Sequence, residues 1–196
     1  MKVLLRAILV MASFFTLILV IAKLFGHFSF EHLNQILTLM QETSPYYLGP
    51  AISLLLVSDL FITVPTLSLC MLAGYFLGFK LAALYCLIGL YLSGILGFVL
   101  SRKIGGKLIR LITKSDDERV ELTDIFSTHG PKMIMLSRVA PMLPEISACL
   151  AGMTGMSFKK FLISWSISSV PYVLISTFSL SKRSLSNPSP AIYTSI

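Results

Sequence analysis

The sequence predicts an all-α, polytopic membrane protein in which two inverted re-entrant helix hairpins are flanked by transmembrane helices. Three observations predict it. The 196 residues are 55% apolar and only 13% charged, with a mean hydropathy of +0.84, whereas soluble domains carry about 25% charged residues. Two apolar stretches are too short to cross a bilayer and break at a proline. Those two stretches also repeat one another. A soluble core cannot hide this much apolar surface, because a domain of ~150 residues still exposes roughly 30% of the surface of its unfolded chain. Disorder is excluded by the shortage of polar residues. At ~20 residues per spanning helix there is room for about five or six embedded pieces and none for a separate soluble catalytic domain.

The net charge of +7 is distributed as a membrane favours. Lys and Arg gather in short loops beside apolar runs, so the positive-inside rule accounts for them and no nucleic-acid partner is expected. Cys70, Cys86 and Cys149 lie inside apolar stretches without CxxC spacing and read as small hydrophobes. His27, His32 and His129 are scattered, so no metal site and no cofactor are expected. No G-x-S-x-G, H-E-x-x-H or P-loop is present, which argues against an enzyme.

Val3 to Ala22 is apolar except for Arg6 and reads as a retained anchor (1–27) rather than a cleaved signal peptide, since no A-x-A-like site follows. In 28–44, Leu33, Ile36, Leu37 and Met40 recur at i, i+3, i+4, i+7 behind a Ser29 N-cap, the pattern of an interfacial amphipathic helix. The membrane domain proper is expected at 45–181, with repeats at about 46–100 and 133–181. Leu81 to Leu100 is uncharged, carries Gly89, Ser93 and Gly97 at spacing four, and is expected to stop at Arg102 and Lys103. The segment from Arg102 to Lys132 holds seven of the sixteen basic and five of the nine acidic residues and reads as a polar cytoplasmic hairpin. Its helix is capped by Ser115 with Glu118 three residues on, and ends near His129-Gly130-Pro131. Phe161 to Ser181 is the last apolar run, interrupted by Pro171, and 182–196 is a polar tail.

The two short stretches lie between Gly49-Pro50 and Pro65 and between Lys132 and Pro144. The longer is ~21 Å of helix against a hydrocarbon core of ~30 Å. Pro65-x-x-Ser68-x-Cys70 and Ala73-Gly74 match Pro144-x-x-Ser147-x-Cys149 and Ala151-Gly152, and Gly78 and Phe79 answer Gly155 and Phe158. Asp59 and Arg138 stand six residues before their respective prolines. With the N-terminus inside, alternating spans make the repeats inverted, the architecture of secondary transporters. Pro65, Pro141, Pro144, Gly74, Gly78 and Gly152 are the expected hairpin breaks.

Arg138-Val-Ala-Pro141-Met-Leu-Pro144, followed by Ala151-Gly152 and Met156-Ser157-Phe158-Lys-Lys-Phe161, resembles the DedA family, also called VTT-domain or SNARE-associated membrane proteins. Ala73-Gly74-x-x-x-Gly78, Gly94, Gly97-Phe98, Ser101-Arg102 and His129-Gly130 extend the likeness over roughly 45–175. The resemblance implies facing re-entrant hairpins in a bacterial inner (plasma) membrane and a flippase or scramblase for phospholipid or polyprenyl phosphate, proton-linked. Membrane lipids, an anionic headgroup above all, are then the partners, and a homo-oligomer is compatible with this reading. The family usually has a glycine before the proline of its penultimate helix, where Ser168-Ser169-Val170 precede Pro171 here, and a further closing helix, so the tail reads as a truncation or a frameshift.

Arg138 at membrane depth costs ~2.5–3.5 kcal/mol on insertion scales and needs a partner or an anionic ligand. Its two readings are a phosphate anchor and an internal salt bridge. Asp59 is either that salt-bridge partner or a proton carrier, and Glu145 either caps a half-helix or couples to protons. A non-catalytic adaptor or membrane-homeostasis protein and a lipid phosphatase are the alternative functions.

Overall fold

The computed structural model describes residues 5, 8, 9, 13, 45–60, 65–113, 115–139 and 143–186, and every regular element among them is helical. The anchor and interfacial helices expected before residue 45, and most of the tail after 182, lie outside the described residues apart from those four positions. The elements are α1 (Pro45–Ser58), then Thr66–Ile112, split at Gly78 into α2 (66–77) and α3 (79–112), then α4 (Asp116–Leu136), a 3-10 turn (Ser137–Val139), α5 (Leu143–Met153) and α6 (Phe158–Ser186).

They form two compact units, 92–169 in one and 45–91 with 170–186 in the other. In the second, α1 turns Leu48, Ile52 and Leu56, each four residues apart, onto Leu69, Cys70, Ala73 and Phe76 of α2 and Ala82, Cys86 and Leu90 of α3, with Val173 of α6 completing the core. Close approach rests on glycine. A Cβ on Gly89 would stand 2.8 Å from the Leu56 Cβ and 2.9 Å from the Ser53 carbonyl, and Ser53 Oγ donates to the Tyr85 carbonyl at 2.8 Å. In the first unit, α4 buries Leu122, Phe126, Gly130 and Ile134 along one face, while Asp116, Asp117 and Glu118 fill its first turn and Ser115 accepts from the Glu118 N–H. Every residue of α5 from Pro144 to Met153 is buried, so this short helix is enclosed by protein on all sides.

The sequence repeat reappears as reciprocal packing. Gly152 of α5 lies on α3, where a Cβ would be 2.2 Å from the Phe98 carbonyl oxygen. Gly74 of α2 lies on α6, where a Cβ would be 2.1 Å from the Thr177 carbonyl oxygen. Phe98 and Thr177 are 79 residues apart, the same offset as Pro65 and Pro144. Each unit is thus built from the N-terminal half of one long helix and the C-terminal half of the other.

Several boundaries differ from expectation. Gly74 and Gly152 sit inside helices at backbone contacts rather than at breaks. The breaks with left-handed backbone are Gly78 (φ 72°, ψ 165°) and Gly155 (φ 74°), each just ahead of a long helix. Gly155 closes α5 as a Schellman turn, its N–H bonding Gly152 O and the Met156 N–H bonding Ala151 O. The helix expected to stop at Arg102-Lys103 runs on to Ile112, because charge ends a membrane span without ending a helix, and both residues are good helix formers. Helix α4 passes through Gly130-Pro131 to Leu136, since one proline removes only one ladder bond and the buried flank at Phe126 and Ile134 holds the helix together. The first arm of the second expected hairpin is therefore the end of α4 and not a separate helix. Helix α1 likewise begins at Pro45 and contains Pro50, and α6 contains Pro171.

The long helices α3 and α6 carry exposed apolar stripes. Leu81, Leu84, Ile88, Leu92, Leu96 and Leu100 form an exposed stripe along α3, and Ile163, Ile167, Ile175 and Phe178 do the same on α6. Thr66–Gly105 and Phe158–Ser181 are long and apolar enough to cross a membrane. Several hydroxyls of α6 are satisfied within the helix, with Ser164, Ser166, Thr177 and Ser179 each donating to the carbonyl four residues earlier. Gly74→Ala and Gly152→Ala are each expected to cost about 1–3 kcal/mol through forced separation of backbones. Thermal unfolding in detergent should show this, with exposed Thr128→Ala as a neutral control.

Candidate functional site

The 3-10 turn after α4 places Arg138 at its centre, and Ser137 tightens it by donating its hydroxyl to the Ile134 carbonyl at 2.7 Å. The Arg138 guanidinium carbon stands 4.8 Å from the centroid of the Trp165 ring, and its Nη2 donates to Ser169 Oγ at 3.0 Å. Trp165 and Ser169 are one turn apart on α6 and so share a face. Trp165 is 2% exposed and Ser169 fully buried, while Arg138 itself is half-buried.

The indole reaches this position because Gly94 of α3 has no side chain. A Cβ there would be 2.5 Å from Trp165 Cε2. Aromatic packing continues along the same two helices, with Phe98 stacked on Phe161 at 4.7 Å between centroids and Phe161 tilted against Trp165 at 5.5 Å. Arg102 adds a bond from Nη1 to the Met156 carbonyl at 3.1 Å, tying α3 to the turn before α6. The result is a fixed ring with a cation on its face, an arrangement worth ~0.5–2 kcal/mol.

Glu145 lies in the first turn of α5 and is 9% exposed. The helix N-terminus there offsets part of the cost of its negative charge. In the other unit, Asp59 follows α1, is 3% exposed, and accepts a bond from Thr66 Oγ1 at 2.7 Å. Thr66 opens α2, and the carbonyl of Pro65 just before it accepts from the Leu69 N–H, so the threonine hydroxyl spans the break. By the repeat register, Thr66 corresponds to Glu145 as Asp59 does to Arg138. Each break therefore has an ionisable group before it and a polar side chain just after it.

Arg138 and Glu145 belong to one unit and Asp59 to the other. Pro65 precedes α2, Pro144 is the second residue of α5, and Pro141 lies outside the described residues. Sequence reasoning missed Trp165, Ser169 and Thr66 as members of these clusters. The signal for Trp165 was its being the only tryptophan in the chain. The Ser168-Ser169 pair was visible only as a departure from the family pattern.

Residues 64–182, well over half of the chain, match the family model described as VTT domain. Comparison with curated proteins and with solved structures gives no match.

Thr66→Val removes the hydroxyl that donates to Asp59, and Ser169→Ala removes the acceptor of Arg138. Each is expected to lower stability by about 1.5–3 kcal/mol, the range for hydrogen bonds to charged groups, read from thermal unfolding in detergent.

Proposed function

The chain belongs to the VTT-domain family, that of the DedA and SNARE-associated Golgi proteins, and from that membership we propose an integral membrane transporter. It carries lipids by their phosphate headgroups, as a flippase or scramblase for phospholipid or polyprenyl phosphate in a bacterial inner membrane. The observation that carries this reading is Arg138, braced by Trp165 and Ser169 yet half-buried just before a short helix that is buried from Pro144 to Met153. A guanidinium presents a planar fork that takes two phosphate oxygens at once.

In this reading the segments 46–79 and 133–158 enter the bilayer from opposite faces and return. The length of α5 supports it, because 11 residues make ~16 Å of helix and cannot cross a core of ~30 Å. Its enclosure supports it too, since broken backbone at membrane depth survives only where protein covers it. Asp59 and Glu145 are the groups that would take up and release a proton as the headgroup moves. No covalent step is involved.

The test is translocation of a fluorescent phospholipid by the purified protein in liposomes, with and without a pH gradient. Arg138→Lys keeps the charge but not the fork and is expected to lose at least about tenfold in rate, the equivalent of one good bidentate contact. Full activity in that variant overturns the headgroup reading. Release of inorganic phosphate indicates a lipid phosphatase, and wild-type protein without translocation indicates an adaptor. For topology, single cysteines at Ser44 and Ser157 should label from outside and inside respectively. Cys70 and Cys86 are fully buried and Cys149 nearly so, and should stay silent.

A further inference from the structure

Trp165 Nε1 is buried and has no hydrogen-bond partner among the described residues. Buried indole N–H groups normally find an acceptor, because leaving one unmade costs the full desolvation of the donor. The indole lies in a set of donors. Arg138 covers its ring face at 4.8 Å, and Ser169, one turn along α6, accepts from Arg138, as a hydroxyl can while donating its own proton elsewhere. Guanidinium, hydroxyl and indole N–H together ask for an oxygen-rich anion. Packing explains the ring, whose Cε2–Cζ2 edge fills the notch at Gly94, but it leaves the indole N–H without an acceptor.

We infer that Trp165 is a ligand-binding residue whose indole N–H donates to an oxygen of the phosphate group held by Arg138, with Ser169 as a second donor. The inference rests on the reading of Arg138 as a phosphate anchor and adds the residues that distinguish a phosphate ester from a neutral lipid. Gly94 belongs to the same device, since any side chain there would displace the indole edge, its Cβ lying 3.0 Å from Nε1.

The single tryptophan makes the test direct. In detergent-solubilised protein labelled with 15N-tryptophan, the one indole N–H resonance is followed during titration with dihexanoyl phosphatidic acid, with inorganic phosphate, and with dihexanoylglycerol. A saturable downfield shift with the phosphatidic acid, and none with the neutral lipid, is expected. An equal shift with inorganic phosphate assigns the site to free phosphate and also supports the donor role. A stationary resonance at saturating probe, or an equal response to dihexanoylglycerol, overturns the inference.

Trp165→Phe keeps an aromatic ring beneath Arg138 and removes the donor. Its affinity for phosphatidic acid, read by ligand-dependent thermal stabilisation, is expected to fall about tenfold or more, and unchanged affinity overturns the inference. The transport reading fails separately. A shifted indole signal in a protein that moves no lipid leaves this site standing, and translocation with a stationary indole signal removes it.

Discussion

Helix backbones touch where Gly152 meets the Phe98 carbonyl and where Gly74 meets that of Thr177, and the remaining packing depends on those contacts. In a bilayer the lipid tails are as apolar as leucine, so helices associate through close packing, and small residues provide it. The Gly152 contact brings α5 against α3 closely enough that ten successive residues of α5 are buried. On the same stretch of α3, Arg102 reaches the Met156 carbonyl just beyond α5, and Phe98 begins the row of rings that continues through Phe161 to Trp165 on α6. Arg138 rests on the last of those rings. A methyl group at Gly152 would push on the Phe98 backbone, the residue whose ring begins that row.

The polar side chains follow the same economy. Ser164, Ser166, Thr177 and Ser179 on α6 give their protons to their own helix, so these hydroxyls sit in an apolar span without being left unpaired. Polar groups that bond outside their own helix are rarer, and two of them mark the breaks, Thr66 to Asp59 and Arg138 to Ser169. A broken helix releases backbone groups and needs side chains to stabilise its ends. The repeat supplies these at equivalent positions with different chemistry, a carboxylate in one copy and a guanidinium in the other.

Much of this was legible in the sequence. Composition identified the solvent, and the match around Pro65 and Pro144 identified the repeat whose packing the structure displays. Ser115 was readable as a cap because N-capping is local chemistry. What could not be read depended on contacts between distant residues. Gly74 and Gly152 looked like breaks because glycine permits a turn, but what they need is room for a carbonyl from a helix far away in sequence. Gly130-Pro131 looked like a stop because local propensity says so, yet tertiary burial of Phe126 and Ile134 carries the helix through. Trp165 gave no periodic signal, since a lone aromatic residue on a spanning helix looks the same whether it faces lipid or an arginine.

The exchange of long-helix halves between the two units also bears on how the chain is made. The unit that contains α1 and α2 needs residues 170–186, so it cannot be completed from the part of the chain that is synthesised first. Gly74 waits for Thr177, about a hundred residues later, which is roughly 5–20 s at 5–20 residues per second. During that interval the notch on α2 faces lipid or the insertion machinery. A ribosomal pause anywhere between α3 and α6 lengthens that exposure, and neither unit becomes whole until α6 is in place.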